Sequence, residues 1–242
     1  MTGGIEVWSW SGRSAGIIET ADLDILSAEE RRRFTAFRDR VRAAYFGRAH
    51  AEIRRRLAGV IGVGPEEIRF GRLPCPGCGR AAHGRPYVQY PETTWEFSLS
   101  RSGPRWLCAA VDGVRIGVDL ERVRRASFGT LAPAVLSRGE RSYLDGVPTE
   151  HRDREFMRCW TRKEAVVKAS GIGIEGDLRK VEVGPDSLVS RVSHRVPECG
   201  INSWLVMDLP TVAGYSSALA VQDSEKDLVF VGGECKGVHP VD

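Results

Sequence analysis

"RWLCAAVDGVRIGVDLERV", residues 105–123, decides how this chain is laid out. Two apolar, strand-forming runs flank Asp112-Gly113, a dipeptide that favours tight turns, so the stretch reads as two strands joined at that turn. Just before it, "TWEFSLSRS" (94–102) alternates Trp95, Phe97 and Leu99 with polar residues, the period of a half-buried strand. Further upstream, residues 26–62 read as helical, with Ser27 and Glu30 spaced as a capping box and Gly47 a candidate break between two helices. "GPEEIRFGR" (64–72) is a turn leading into a short strand, and "PCPGCGRAAHGRP" (74–86) is too rich in Gly and Pro for regular structure. Downstream the plan repeats: helices at "SRGERSYLD" (137–145) and "FMRCWTRKEAVVK" (156–168), then strands at "KVEVG" (180–184), "SWLVMDL" (203–209) and "YSSALAVQD" (215–223). Helices and then several short strands, twice over, predict an α+β protein of two similar halves, residues 1–112 and 113–242.

Composition narrows the class. The 242 residues are 42% apolar and 28% charged, with no apolar run near the roughly 20 residues of a membrane span. "MTGGIEVWSW" runs quickly into strand-like alternation without a basic segment and apolar core, so a cytoplasmic location without membrane association is expected. Six scattered cysteines in a chain of this length do not make a secreted disulfide framework. "CPGC" followed by His83 has the start of a zinc site but lacks a second close pair; Cys199 and Cys235 are distant, and Cys108 and Cys159 sit in apolar runs that suit core packing. Net charge is only +3, yet Arg31 to Arg56 holds ten arginines against Asp39 and Glu52, a local +8 that points to an anionic partner for one face.

Chemistry is concentrated in two segments. In "IGVDLE" (116–121) the strand period places Asp119 and Glu121 on one face, where two carboxylates repel unless a cation lies between them. On the second segment Phe156 and Trp160 begin a helical row that continues into Glu164 and Lys168. As a surface feature, Glu164 and Lys168 would be an ordinary i, i+4 pair. A row opened by Phe and Trp faces protein instead, where a carboxylate and an amine need partners. A hard divalent ion held by Asp119, Glu121 and Glu164, beside Lys168 as a cation for phosphate, accounts for all four.

These segments resemble the two signatures of the Sfp-type 4'-phosphopantetheinyl transferases: (I/V)G(I/V)D(I/L)E, then F-x-x-x-W-(S/T)-x-K-E-A-x-x-K and a glycine-rich turn. "HGRP" (83–86) is similar to the family's G-(K/R)-P loop, "FSLSRS" (97–102) to its F-N-x-S-H-S strand, and the Arg-rich helices to its N-terminal region. The resemblance runs roughly from Leu26 to Gly173 and implies a pseudo-dimer of two α+β halves, with coenzyme A in the cleft between them. It implies Mg2+ ligation by Asp119, Glu121 and Glu164, a base role for Glu164 toward the incoming serine, and phosphate contacts or charge balance from Lys163 and Lys168. Gly84 and Pro86 would shape the adenine end. Arg85 and Arg33 are candidates for the 3'-phosphate. Ser100 is retained, and Arg101 stands where the family has His, a position that holds a coenzyme A phosphate. Tyr45 falls where many relatives keep a phosphate-binding Arg, and Arg42 or Arg48 is the candidate substitute.

The reaction implied is attack of a carrier-protein serine on the β-phosphate of coenzyme A with release of 3',5'-ADP, in polyketide or nonribosomal peptide biosynthesis. The partner would be an acyl or peptidyl carrier protein, which is acidic around its modified serine and suits the local positive charge. Arg138, Arg141, Arg152 and Arg154 lie between the two signatures, where that carrier would dock. A monomer is expected, and no nucleic-acid partner. Three rivals remain: a nucleic-acid-binding module on the Arg-rich helices, which would need basic residues interleaved with exposed aromatics over a large face; another phosphoryl-transfer enzyme or hydrolase, although no Walker-type loop is present; and an inactive relative, against which all three acids and Lys168 argue.

Overall fold

The computed structural model describes residues 3–11, 17–81, 84–124, 127–172, 177–194, 200–224 and 228–232. Its helices are α1 (Thr20–Asp24), α2 (Ala28–Ala36), α3 (Arg40–Ile61), α4 (Ser127–Val135), α5 (Arg138–Asp145) and α6 (Thr149–Ser170). Its strands are β1 (Gly3–Ser11), β2 (Arg69–Arg72), β3 (Pro86–Tyr90), β4 (Trp95–Ser102), β5 (Arg105–Asp112), β6 (Ile116–Arg122), β7 (Val189–Ser193), β8 (Ser203–Asp208), β9 (Tyr215–Gln222) and β10 (Leu228–Gly232). Mixed helix and sheet is the α+β class that the sequence predicts. Among the described residues no helix is long and apolar enough to cross a membrane.

Two four-stranded sheets, ordered β10-β1-β5-β4 and β6-β9-β8-β7, lie face to face. Strand period explains the layering. Leu107, Ala109 and Val111 of β5 meet Ile116, Val118 and Leu120 of β6 in a core between the sheets. The alternate β5 residues, Cys108 and Ala110, pack outward with Ile53 and Leu57 of α3. On the far side α6 covers the second sheet, burying Phe156, Val166 and Val167 against Trp204, Val206, Ala218 and Ala220. The order of layers is helix, sheet, sheet, helix, and β5 is an unbroken apolar run because both its faces are covered.

Several expectations change. The Asp112-Gly113 turn does not close a hairpin. β5 pairs with β1 and β4 while β6 pairs with β9, so the turn lifts the chain from one sheet to the other and lets the two apolar faces oppose each other. The last described strand crosses the 112/113 division, β10 running parallel to β1. The helical break falls at Phe37–Asp39, where Asp39 caps Val41 and Arg42, and not at Gly47. Inside α3, a Cβ on Gly47 would lie 2.3 Å from Ile18 Cδ1 and 3.2 Å from Phe34, so that glycine serves packing. "KVEVG" is not a strand: a short 3-10 turn (Leu178–Lys180) precedes an extended segment whose polar backbone groups are met by side chains. Lys163 takes the carbonyl of Val181, Arg162 that of Val183, and Glu140 the N–H of Val183.

That segment also explains the charges within α6. Arg162 is fully buried, bonded to Asp208 and to the carbonyls of Val183, Gly184, Ser187 and Leu188. Arg158 reaches Asp208 from the next turn. Both capping boxes, Ser27/Glu30 and Ser137/Glu140, are formed.

Candidate active site

The site forms where β4, at the edge of the first sheet, meets β6, at the edge of the second. Alternate serines of β4 join them: Ser98 Oγ accepts from Val118 N–H (3.0 Å), Ser100 Oγ donates to Asp119 Oδ1 (2.8 Å), and Ser102 Oγ accepts from Arg122 N–H (3.0 Å) while donating to Glu121 Oε2 (2.8 Å). Gly117, Asp119 and Glu121 share the β6 face that packs on α6. A Cβ at Gly117 would lie 2.0 Å from Ala165 O and 2.6 Å from Ala169 N, so the absence of a side chain there brings the acids against α6. Lys168, one turn beyond Glu164, spans the gap, donating to Asp119 Oδ1 (2.6 Å), Ser100 Oγ (3.0 Å) and Val118 O (3.1 Å).

Asp119, Glu121, Glu164 and Lys168 thus line one pocket of ≈ 250 Å³, with Ser100, Arg101, Leu99 and Trp160 completing its wall. The Trp160 ring lies 6.5 Å from that of Phe156, so the anchor and the charged end of the row are one continuous helix face. Asp119 and Glu164 are 3% and 6% exposed, and Asp119 Oδ2 and Glu164 Oε1 are buried oxygens without a hydrogen-bond partner among the described residues. Burial first, and then the charges of Asp119 and Glu121, push the Glu164 carboxyl up to about 7, against the opposing pull of Lys168.

As the side chains stand, no group of three His, Cys, Asp or Glu residues converges into a metal centre among the described residues. Asp119 Oδ1 is turned to Lys168 and Ser100, and Glu121 to Ser102. The donor set nevertheless fits a hard cation: three carboxylates border one space, and two of their buried oxygens lack partners.

Two residues expected to contact the ligand have protein partners instead. Lys163 does not reach the pocket. Its side chain is 0% exposed, and its amine is taken by Glu140 Oε2 (2.7 Å), Leu178 O (2.9 Å) and Val181 O. It is one residue, about 100° of helix, from Glu164 and faces α5 and the 178–181 segment. Arg85 is buried in a two-pronged ion pair with Glu96, so a phosphate would have to displace that carboxylate. Gly84 packs too tightly on Leu73 O for any side chain, its Cβ position falling 1.6 Å away, and Pro86 opens β3. This loop borders the end of α6, since a Cβ on Gly171 would lie 3.6 Å from that of Arg85.

Arg33 and Arg48 do not line the pocket. Arg33 is exposed with its guanidinium 5.0 Å from the Phe46 ring centroid, and Arg48 is half-buried with Nη2 4.0 Å from Glu19. Arg42 lies beside Asp39. The local +8 is reduced by tertiary contacts from outside the segment, Glu30 pairing with Arg54 and Asp22 with Arg55. Of the proposed docking arginines, Arg138, Arg141 and Arg154 are exposed, whereas Arg152 donates to the carbonyls of Asp145 and Val147. "CPGC" forms a turn in which Cys75 Sγ donates to Ile172 O (3.3 Å); His83, Cys199 and Cys235 lie outside the described residues. Cys108 and Cys159 are buried thiols, both pushed up to about 12, by burial and, for Cys159, then by Glu140.

Ser102, which holds Glu121, was not singled out from the sequence. Its signal was the two-residue spacing of Ser98, Ser100 and Ser102 along β4.

Residues 115–201 match the family model described as the 4'-phosphopantetheinyl transferase superfamily, a span that contains β6 and α6. Among similar proteins are the 4'-phosphopantetheinyl transferase HetI of Nostoc sp., 33% identical over 158 residues (64% of this chain, 58% of HetI), and AcpT of Escherichia coli (strain K12), 38% identical over 99 residues (40% of this chain, 50% of AcpT). A 4'-phosphopantetheinyl transferase of Bacillus subtilis is 30% identical over 132 residues, 54% of each chain. The chain spans about half the length of these relatives. The acids of β6 and α6 that meet in one pocket both lie inside the matched span, so it is over residues 115–201, site included, that the chain is similar to the 4'-phosphopantetheinyl transferase superfamily.

Proposed function

We propose that this protein transfers the 4'-phosphopantetheine group of coenzyme A to a serine of an acyl or peptidyl carrier protein, with Mg2+, releasing 3',5'-ADP. The observation that carries the reading is the pocket in which Asp119, Glu121, Glu164 and Lys168 converge with two buried carboxylate oxygens unpartnered. Asp119, Glu121 and Glu164 would hold the Mg2+, which when bound supplies charge stabilisation at a pyrophosphate. Lys168 and Arg101 border the same space and supply fixed positive charge for the phosphates, where charge develops as the leaving group departs. Glu164, which lines the same pocket, would accept the serine proton. In the balanced step the serine oxygen bonds to the β-phosphorus, the P–O bond to the α-phosphate bridge breaks, and 3',5'-ADP takes the electron pair.

The Sfp type is supported by length and layout: each four-stranded sheet carries one 22-residue helix, α3 or α6, as two related halves would. One chain furnishes both sheet edges of the pocket, which supports a monomer. Service to polyketide or nonribosomal peptide carriers in the cytoplasm is the context we favour, with Arg138, Arg141 and Arg154 as docking residues. A nucleic-acid role is disfavoured because the aromatics among the arginines form no exposed face: Phe46 is buried, Phe34 and Tyr45 are half-buried, and Phe37 alone is exposed.

The test is intact mass spectrometry of an apo carrier protein incubated with this protein, coenzyme A and Mg2+, with an EDTA control. Gain of one phosphopantetheine that EDTA prevents is expected, and Asp119→Ala should abolish it without unfolding the chain. Full turnover by Asp119→Ala, or a gain insensitive to EDTA, contradicts the assignment.

A further inference from the structure

Arg101 is exposed at the pocket rim, and among the described residues no carboxylate pairs with it. What holds it is an aromatic face: its guanidinium lies 5.5 Å from the ring centroid of Trp106. The two residues are direct cross-strand partners in the β4–β5 ladder, so sheet register fixes the contact. The Trp106 ring is itself backed from α3. His50 meets it edge-on at 6.5 Å and 79°, and stacks at 4.1 Å on Phe46. His50 Nδ1 lies 2.9 Å from Glu30 Oε1, and Glu30 is bound in turn by Arg54 at 2.8 Å and by Ser27 N–H. A capped helix end, a buried ion pair and two rings therefore stand behind one tryptophan.

The choice of partner has a chemical consequence. A carboxylate holding Arg101 would neutralise it and compete with any anion, as Glu96 does at Arg85. An aromatic face restrains the planar guanidinium but leaves its charge and its outward N–H groups for a ligand. We infer that Trp106, backed by His50, is a positioning residue that presents Arg101 to a phosphate group of coenzyme A. The inference rests on the proposed function. It assigns Trp106 no contact with substrate.

The experiment is calorimetric titration of the full chain with coenzyme A, without carrier, for wild type, Arg101→Ala, Trp106→Leu and the double variant. Loss of a charged phosphate contact should weaken binding about 10-fold or more in Arg101→Ala. Trp106→Leu should weaken it about 3- to 10-fold, the range of a partly desolvated cation–π contact. The double variant should be no weaker than Arg101→Ala, because the tryptophan acts only through the arginine. In turnover, Trp106→Leu should raise the KM for coenzyme A by the same factor and leave the carrier KM unchanged. If Trp106→Leu fails to fold, Trp106→Phe keeps a ring, and should bind within about twofold of wild type and show no effect in the Arg101→Ala background. Additive losses in the double variant, or Trp106→Leu binding like wild type, overturn the inference alone. A wild type that does not bind coenzyme A overturns the proposed function, and the inference with it.

Discussion

Lys163→Met separates a structural lysine from a ligand-binding one. In the folded chain the amine and Glu140 form a pair in which both side chains are 0% exposed, with Leu178 O and Val181 O as further acceptors. Methionine fills much the same volume but leaves Glu140 charged without its cation, and two carbonyls without this donor. Breaking a buried pair on one side costs about 3–5 kcal/mol, a large part of the about 5–15 kcal/mol that folded domains possess. At about 2–4 °C per kcal/mol for a chain of this size, the melting temperature should fall by about 10 °C. Glu140 also caps α5 and accepts from Val183 N–H, so Glu140→Gln combined with Lys163→Met, which removes the charge and keeps a polar side chain, should recover part of the loss. Thermal denaturation followed by circular dichroism reads the stability, and the KM for coenzyme A is measured below the melting transition. A melting point within about 2 °C of wild type, or a folded variant with a 10-fold higher KM for coenzyme A, would refute the structural role.

Three further outcomes follow from the same geometry. Glu164 titrates near 7 in the fold against 4.5 when exposed, so its contribution to stability is complete below about pH 4.5 and is lost as pH rises through 7; in EDTA at pH 8.5, Glu164→Gln should melt higher than wild type, by up to about 3 kcal/mol of stability, and a lower melting point would contradict the burial argument. Gly117→Ala drives a methyl group into the backbone of α6 and should cost about 3 kcal/mol or more together with transfer activity, so a wild-type melting curve would show that β6 and α6 are farther apart than described. For Glu30, burial alone would raise the carboxyl, but His50, Arg54 and the Ser27 N–H hold it at about 2; its contribution is present above about pH 4.5 and lost as pH falls toward 2, so Glu30→Gln should flatten the acid limb of the stability profile and lower stability at pH 7 by about 3 kcal/mol, as urea titrations at each pH would reveal.

Much of the site was legible because its residues lie on regular elements with fixed periods. Two-residue spacing put Asp119 and Glu121 on one face of β6, and four-residue spacing put Glu164 and Lys168 below Trp160 on α6. Capping boxes, strand alternation in β4 and the apolar run of β5 are equally local, since each reports which side of an element is buried. What misled was also local. Asp112-Gly113 marks a turn without saying whether the strands beside it pair, and β-branched "KVEVG" looks like a strand when nothing nearby signals that Lys163, Arg162 and Glu140 satisfy its backbone.

By itself the sequence determined the α+β class, the elements that carry the acids, and a local excess of positive charge, because propensity, periodicity and capping act within a few residues of each other. Only the tertiary structure decided which charges meet. Lys163 and Lys168 sit on one helix five residues apart, yet a 100° turn per residue sends the first into a sealed pair with Glu140 and the second to Asp119 and Ser100. Arg85 and Arg101 look alike in sequence, but a carboxylate holds one and an indole the other. The energy of a buried charge is set by partners tens of residues away, and those partners are fixed by the packing of two sheets and two helices rather than by the order of the chain.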